Sequence, residues 1–184
     1  GALGGAVQLY TLNPEDIIPE GKSFGALTKT TYDSVDDSIG SNGAIAGHVN
    51  DSWLLVQGGY KRGHETDNQG DIGGYGSGRT EVNPMDYNQK NLLVKFHQYL
   101  EGGHRLGLTG EFFNRDDDTD NRRGSTSSYV PGSLNTGEET DRRRISASYD
   151  FISPDNTDWL DQANITAYWQ RQRLNNTTDG IRIP

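Results

Sequence analysis

Histidine is the side chain best suited to hold a metal or to move a proton near neutral pH, and the four in this chain sit in different settings. His97 and His104 flank the turn Glu101-Gly102-Gly103, and His48 borders a second tight connection, Asn50-Asp51-Ser52. His64 alone opens a long polar stretch, where it can reach a ligand; the competing reading is a solvated loop histidine. The run His64-Glu65-Thr66-Asp67 lacks the second histidine of a helical zinc motif. Asp116-Asp117-Asp118-Thr119-Asp120-Asn121 begins like a calcium loop but has Asn121 where the sixth position needs glycine, and Ser127 where the twelfth needs glutamate. It reads as a solvated acidic loop answered by Arg122 and Arg123, with loosely held calcium as the alternative. Gly70 to Arg79 is rich in glycine, yet it follows no hydrophobic strand and opens no helix, so it is a poor phosphate cradle. It reads as a flexible surface loop on which Tyr75 and Arg79 are placed to touch a ligand or a protein partner. No Ser/His/Asp or paired-carboxylate arrangement has supporting spacing. No catalytic residue and no metal site are assigned, and an enzyme is not expected.

Alternating sequence supplies the elements that must hold these residues. Leu92–Leu100 and His104–Phe112 are two apolar/polar runs joined by Glu101-Gly102-Gly103, which predicts a hairpin with Gly103 in a left-handed conformation. The pairing sets Leu100 opposite His104, Gln98 opposite Leu106, Phe96 opposite Leu108, Val94 opposite Gly110 and Leu92 opposite Phe112. One face is greasy; Lys95, Tyr99, Arg105 and Glu111 belong to the other, wet face. Period-two runs predict seven strands near 23–32, 39–49, 53–62, 88–100, 104–114, 143–152 and 164–174. Their connections alternate between tight turns and long loops, near 63–87 and 115–142, as they do in a membrane barrel. In the sixth strand Ile145, Ala147, Tyr149 and Phe151 alternate with Arg144, Ser146, Ser148 and Asp150, which puts Arg144 on the wet side. Arg142 and Arg143 lie near the loop end, where anionic partners suit them. In the seventh, Ile165, Ala167 and Trp169 share the greasy face. The second and third strands leave two groupings open: Ala44, Ala46, Leu54, Val56 and Tyr60 outward, or Ile45, Val49, Trp53 and Leu55. Trp53 and Trp159 lie beside short connections, as girdle residues or as packed ones.

Composition narrows the class. Of 184 residues only 31% are hydrophobic and 24 are glycine, so apolar residues are rationed to alternate positions, which suits a sheet with one wet side. The 9 Tyr, 5 Phe and 3 Trp argue against disorder. A net charge of -9 argues against a nucleic-acid groove. Zero cysteines exclude disulfides and thiolate metal sites. No run approaches the about 18 apolar residues of a membrane helix, whereas barrel strands need only about 9–11 residues with alternate positions apolar.

The first residues break the hairpin rhythm. Gly1-Ala2-Leu3-Gly4-Gly5 leads into an expected strand, Ala6–Leu12, after which Asn13-Pro14 can cap and start a helical turn. This segment resembles the plug-to-barrel junction of TonB-dependent outer-membrane receptors, and Gly4-Gly5-Ala6-Val7 with Thr11-Leu12 and Pro14-Glu15-Asp16-Ile17-Ile18 is similar to members that take up heme or haemoglobin. The resemblance implies an all-β fold: residues 1–18 ending a plug domain, and residues 19–184 forming about seven strands of a transmembrane antiparallel β-barrel of about twenty-two. It implies a piece of a longer protein, active import of heme or haemoglobin-derived heme, coupling to TonB, and an outer-membrane location. Heme is the transported ligand and no intrinsic cofactor is expected. Outer-membrane lipid and lipopolysaccharide are expected partners; nucleic acid is not. His64, Tyr75 and Arg79 become the loop residues that would touch the ligand, and Lys95, Tyr99, Arg105, Glu111 and Arg144 line the lumen. A siderophore receptor of the same superfamily is the nearest alternative, and a soluble β-domain that binds carbohydrate or protein through long loops is the alternative of another class. Open edges predict that the piece alone aggregates.

Overall fold

The computed structural model describes residues 11–126, 128–154 and 160–184. Seven strands form one antiparallel sheet whose spatial order is the chain order: β1 (Phe24–Asp33), β2 (Ser38–Val49), β3 (Ser52–His64), β4 (Met85–Leu100), β5 (His104–Asp120), β6 (Asn135–Ile152) and β7 (Gln162–Asp179). The sheet is open, with β1 and β7 at its edges. A single helical turn, α1 (Pro14–Ile17), precedes it, with Asn13 at its N-cap and Pro14 in the first position, where a missing N–H costs nothing. The expected strand over Ala6–Leu12 falls mostly outside the described residues, and so does Trp159.

The β4–β5 hairpin has the register that its alternation predicts, from Leu100 opposite His104 to Leu92 opposite Phe112. Gly102 and Gly103 both take positive φ, 78° and 82°. At Gly103 a Cβ would also collide with the Ile152 carbonyl, so glycine is required there twice over.

In the two neighbouring strands the facing is set by the length of one connection. The β2–β3 connection is Asn50-Asp51 alone, with Asn50 left-handed at φ 51°, and Val49 faces Ser52. A connection of even length swaps parity, so even positions of β2 share a face with odd positions of β3. Ala44, Ala46, Trp53 and Leu55 lie on one face, and Ile45, Val49, Leu54, Val56 and Tyr60 on the other. Both expected groupings are thereby corrected, since each combines residues of the two faces. Trp53 accordingly packs inward, stacked on His48 at a ring separation of 4.2 Å.

Strands outrun their alternation toward the loop end. β5 continues to Asp120 and β6 starts at Asn135, so the long loop shrinks from 115–142 to 121–134, and its neighbour from 63–87 to 65–84. These extensions are polar on both faces and carry no periodic signal; the backbone ladder alone defines them. The acidic run therefore lies in β5 and not in a loop: Asp116, Asp118 and Asp120 point one way and Asp117 the other, where it meets Arg115 at 2.8 Å. The alternation of loop lengths is also looser than expected, since the β1–β2 connection at this end is only 34–37.

The inner face, defined as the one that carries α1, holds a small core of Ile18, Ala44, Ala46, Leu55 and Leu93, flanked by Leu12, Ile17 and Trp53. Leu55 is completely buried. Gly25 lets the chain lie flat here, because a Cβ would strike the Ile17 carbonyl. The outer face is the reverse. Leu54, Leu92, Phe96, Leu100, Leu106, Leu108, Ile145, Ile165 and Trp169 all stand exposed on it.

Candidate functional site

Two regions concentrate functional chemistry, one on the inner face and one at the loop end. On the inner face, Lys95, His97 and Tyr99 recur at two-residue steps along β4, so all three point at α1. Lys95 Nζ donates to the Thr11 carbonyl at 3.1 Å and to Asn13 Oδ1 at 2.8 Å. His97 Nδ1 lies 2.8 Å from Glu15 Oε1, and the Tyr99 hydroxyl donates to that same oxygen at 2.7 Å. Burial opposes ionisation of Glu15, but the bonds from His97, its own backbone and Tyr99 outweigh it and hold the carboxyl at about 2. Asp16 completes the turn by accepting the Asn13 N–H at 2.7 Å.

The other wet-face residues share this side. Arg105 grips Asp150 through two bonds of 2.9 and 3.1 Å. Glu111 faces Arg144 in register, and the Arg144 guanidinium stands 4.6 Å over the Tyr168 ring. Lys95, Tyr99, Arg105, Glu111 and Arg144 thus occupy one face, but only the first two reach α1. Sequence reading missed Glu15, whose partners lie some eighty positions away; its one local signal is the Asn13-Pro14 cap that fixes the turn presenting it.

At the loop end the long loops interlock. Gly76 N–H donates to the Arg122 carbonyl at 2.9 Å, Arg123 N–H to Asn83 Oδ1 at 3.0 Å, and Asn83 Nδ2 to Asn121 Oδ1 at 3.2 Å. The segment after β7 joins them, with Val130 N–H donating to the Ile181 carbonyl at 2.8 Å. Arg79 is 4% exposed and is spent inside its own loop: it donates to the Gly74 and Val82 carbonyls and pairs with Glu81 at 3.1 Å. Tyr75 is half exposed on the cap, and His64 ends β3 in contact with Asp86 at 2.7 Å. The three residues chosen from sequence therefore do not converge on one point. What the cap presents is Ile72, Tyr75, Val130 and Ile181, all exposed.

Beside the cap, the β1–β2 connection and loop 65–84 enclose a cleft of about 650 Å³ lined by Asp36, Asp37, Glu65, Asp67 and Asp86. Asp36 accepts from Tyr87 at 2.6 Å and meets Lys61 at 3.5 Å. The Ser38 and Tyr87 hydroxyls hold its carboxyl at about 2, against a smaller opposing effect of desolvation. An acidic cleft beside exposed aromatic and aliphatic side chains suits contact with a cationic protein surface.

No known family profile matches the chain. Two relatives are found: it is 34% identical over 110 residues to lactoferrin-binding protein A of Neisseria meningitidis serogroup A, a match covering 57% of this chain and 11% of that protein. With lactoferrin-binding protein A of a serogroup B strain the identity is 37% over 107 residues, covering 55% and 11%. The chain thus spans about a ninth of the length of these relatives.

Proposed function

We propose that this chain is part of an outer-membrane receptor that takes iron from a host iron-binding protein, docked on the loop end and passed inward by TonB-coupled transport. The observation that carries the reading is the outer face. From Leu92 to Leu100 and from Leu106 to Phe112 every outward side chain except Gln98 is apolar or glycine, and Leu92, Phe96, Leu100, Leu106 and Leu108 stay exposed while a separate core forms on the other face. Water does not stabilise such a surface; a bilayer does. The nine-residue alternating runs Leu92–Leu100 and His104–Phe112 match the about 9–11 residues that a tilted strand needs to cross.

The loop end favours a protein over a small ligand. Its exposed Ile72, Tyr75, Val130 and Ile181 spread over an interlocked cap, and the carboxylates lie beside them in the cleft. The relatives named for binding lactoferrin support a protein ligand of that kind. Heme or haemoglobin, the ligand that the sequence resemblance suggests, has less on its side: Arg79 faces its own loop, and His64 is engaged by Asp86.

The test uses the full-length protein displayed on cells. Iron-loaded lactoferrin is expected to bind and to support growth as sole iron source, and loss of TonB is expected to abolish growth but not binding. Capture of heme or haemoglobin with no capture of lactoferrin would move the assignment to heme uptake. Recovery of the full-length protein in the aqueous phase without detergent would remove the membrane reading altogether.

A further inference from the structure

The outer face changes its charge along the strands. Among β4 to β7, the last apolar outward residue toward the loops is followed by Lys90 on β4, by Arg143 on β6, and by Arg171 and then Arg173 on β7, while β5 continues with the neutral Asn114. Further along, the outward residues turn acidic, with Asp86, Asp116, Asp118 and Glu139. Over β4 to β7 a partial collar of cations thus lies between the apolar band and an acidic rim.

Within the collar, Arg143 stands directly across from Arg171, and Asp141 across from Arg173. With Trp169 these residues line a shallow pocket of about 120 Å³. Like charges directly opposite on neighbouring strands repel, and among the described residues no carboxylate lies within ion-pair distance of any of the three arginines. Arg143 has the Phe112 ring at 5.7 Å, and Asp141 is engaged by Asn114 Nδ2 at 3.4 Å. An unpaired set of forked guanidiniums matches phosphate oxygens. Trp169, directly below on the same face, has the ring type that settles at the boundary between acyl chains and headgroups.

We propose that Arg143, Arg171 and Arg173 form a binding site for the phosphate groups of an outer-leaflet lipid headgroup, with Trp169 seated at the base of that headgroup. This rests on the outer face meeting lipid. The full-length protein, reconstituted in neutral-lipid bilayers, is titrated with lipid A, with dephosphorylated lipid A and with inorganic phosphate. Lipid A is expected to bind and the other two to bind far more weakly. The triple variant R143Q/R171Q/R173Q is expected to lose on the order of a hundredfold in affinity, about fivefold for each cation near the headgroup plane. Asp141→Asn, which removes the carboxylate of the cluster, is expected to tighten binding severalfold and serves if the triple variant does not assemble. Unchanged lipid A affinity in these variants overturns the proposal, as does inorganic phosphate binding as tightly as lipid A. If the full-length protein never enters bilayers, the membrane reading falls and this site with it. If it enters and the variants bind normally, only this site falls.

Discussion

In β2 to β4 the inner face is filled: α1 and Ile18 lie on Ala44, Ala46, Leu55 and Leu93, and Glu15 ties the turn to His97 and Tyr99. In β7 the same face carries Thr166, Tyr168, Gln170 and Gln172, and every one of them is exposed. The outer face does not differ in this way, since Leu54 and Phe96 in the first half are apolar and exposed, like Ile145 and Trp169 in the second. The contrast separates two sources of order. One half is held by packing within the chain, while the other keeps its shape through the ladder and whatever medium bathes its two sides.

Four measurements on the full-length protein in bilayers break or sharpen that contrast. Leu55→Ala, at a completely buried leucine, should cost about 2–5 kcal/mol in denaturant unfolding; a near-zero cost would deny that the first half has a core. Leu108→Arg, on the outer face of β5, should cost about 2–4 kcal/mol if that face meets lipid. The same substitution would be nearly silent if it met water.

Glu15→Gln should release α1 at a cost of about 1–3 kcal/mol, read as faster proteolysis near residue 13. The pH dependence has a definite sign. With the carboxyl at about 2 when docked against an ordinary 4.5, its contribution is complete above about pH 4.5 and fades as pH falls toward 2. Wild type should therefore lose α1 protection across that window, and the Gln variant should show no such transition. Gln170→Ala, on the open inner face of β7, should fall within about 0.5 kcal/mol of zero; a large cost would show that something already covers that face.

The same contrast explains what the sequence could reveal. All seven strands, and the full register of the β4–β5 hairpin, follow from apolar alternation, because that signal is strong wherever one side of a strand is greasy. It fails at β2 and β3, where the outcome turns on whether the connection has two residues or three, and Asn50-Asp51-Ser52 allows both. It fails again at Arg115–Asp120 and Asn135–Arg142, where both sides are polar. The cap is least legible, since Arg79 looks like a free cation until the fold turns it onto the Gly74 and Val82 carbonyls.

The anchoring of α1 also has a mechanical meaning. Its attachments run in order along the chain, Thr11 and Asn13 to Lys95 and then Glu15 to His97 and Tyr99. A pull on the backbone ahead of Thr11 would load these bonds one after another instead of all at once. Such a fastening peels open under little force yet resists being slid sideways as a unit.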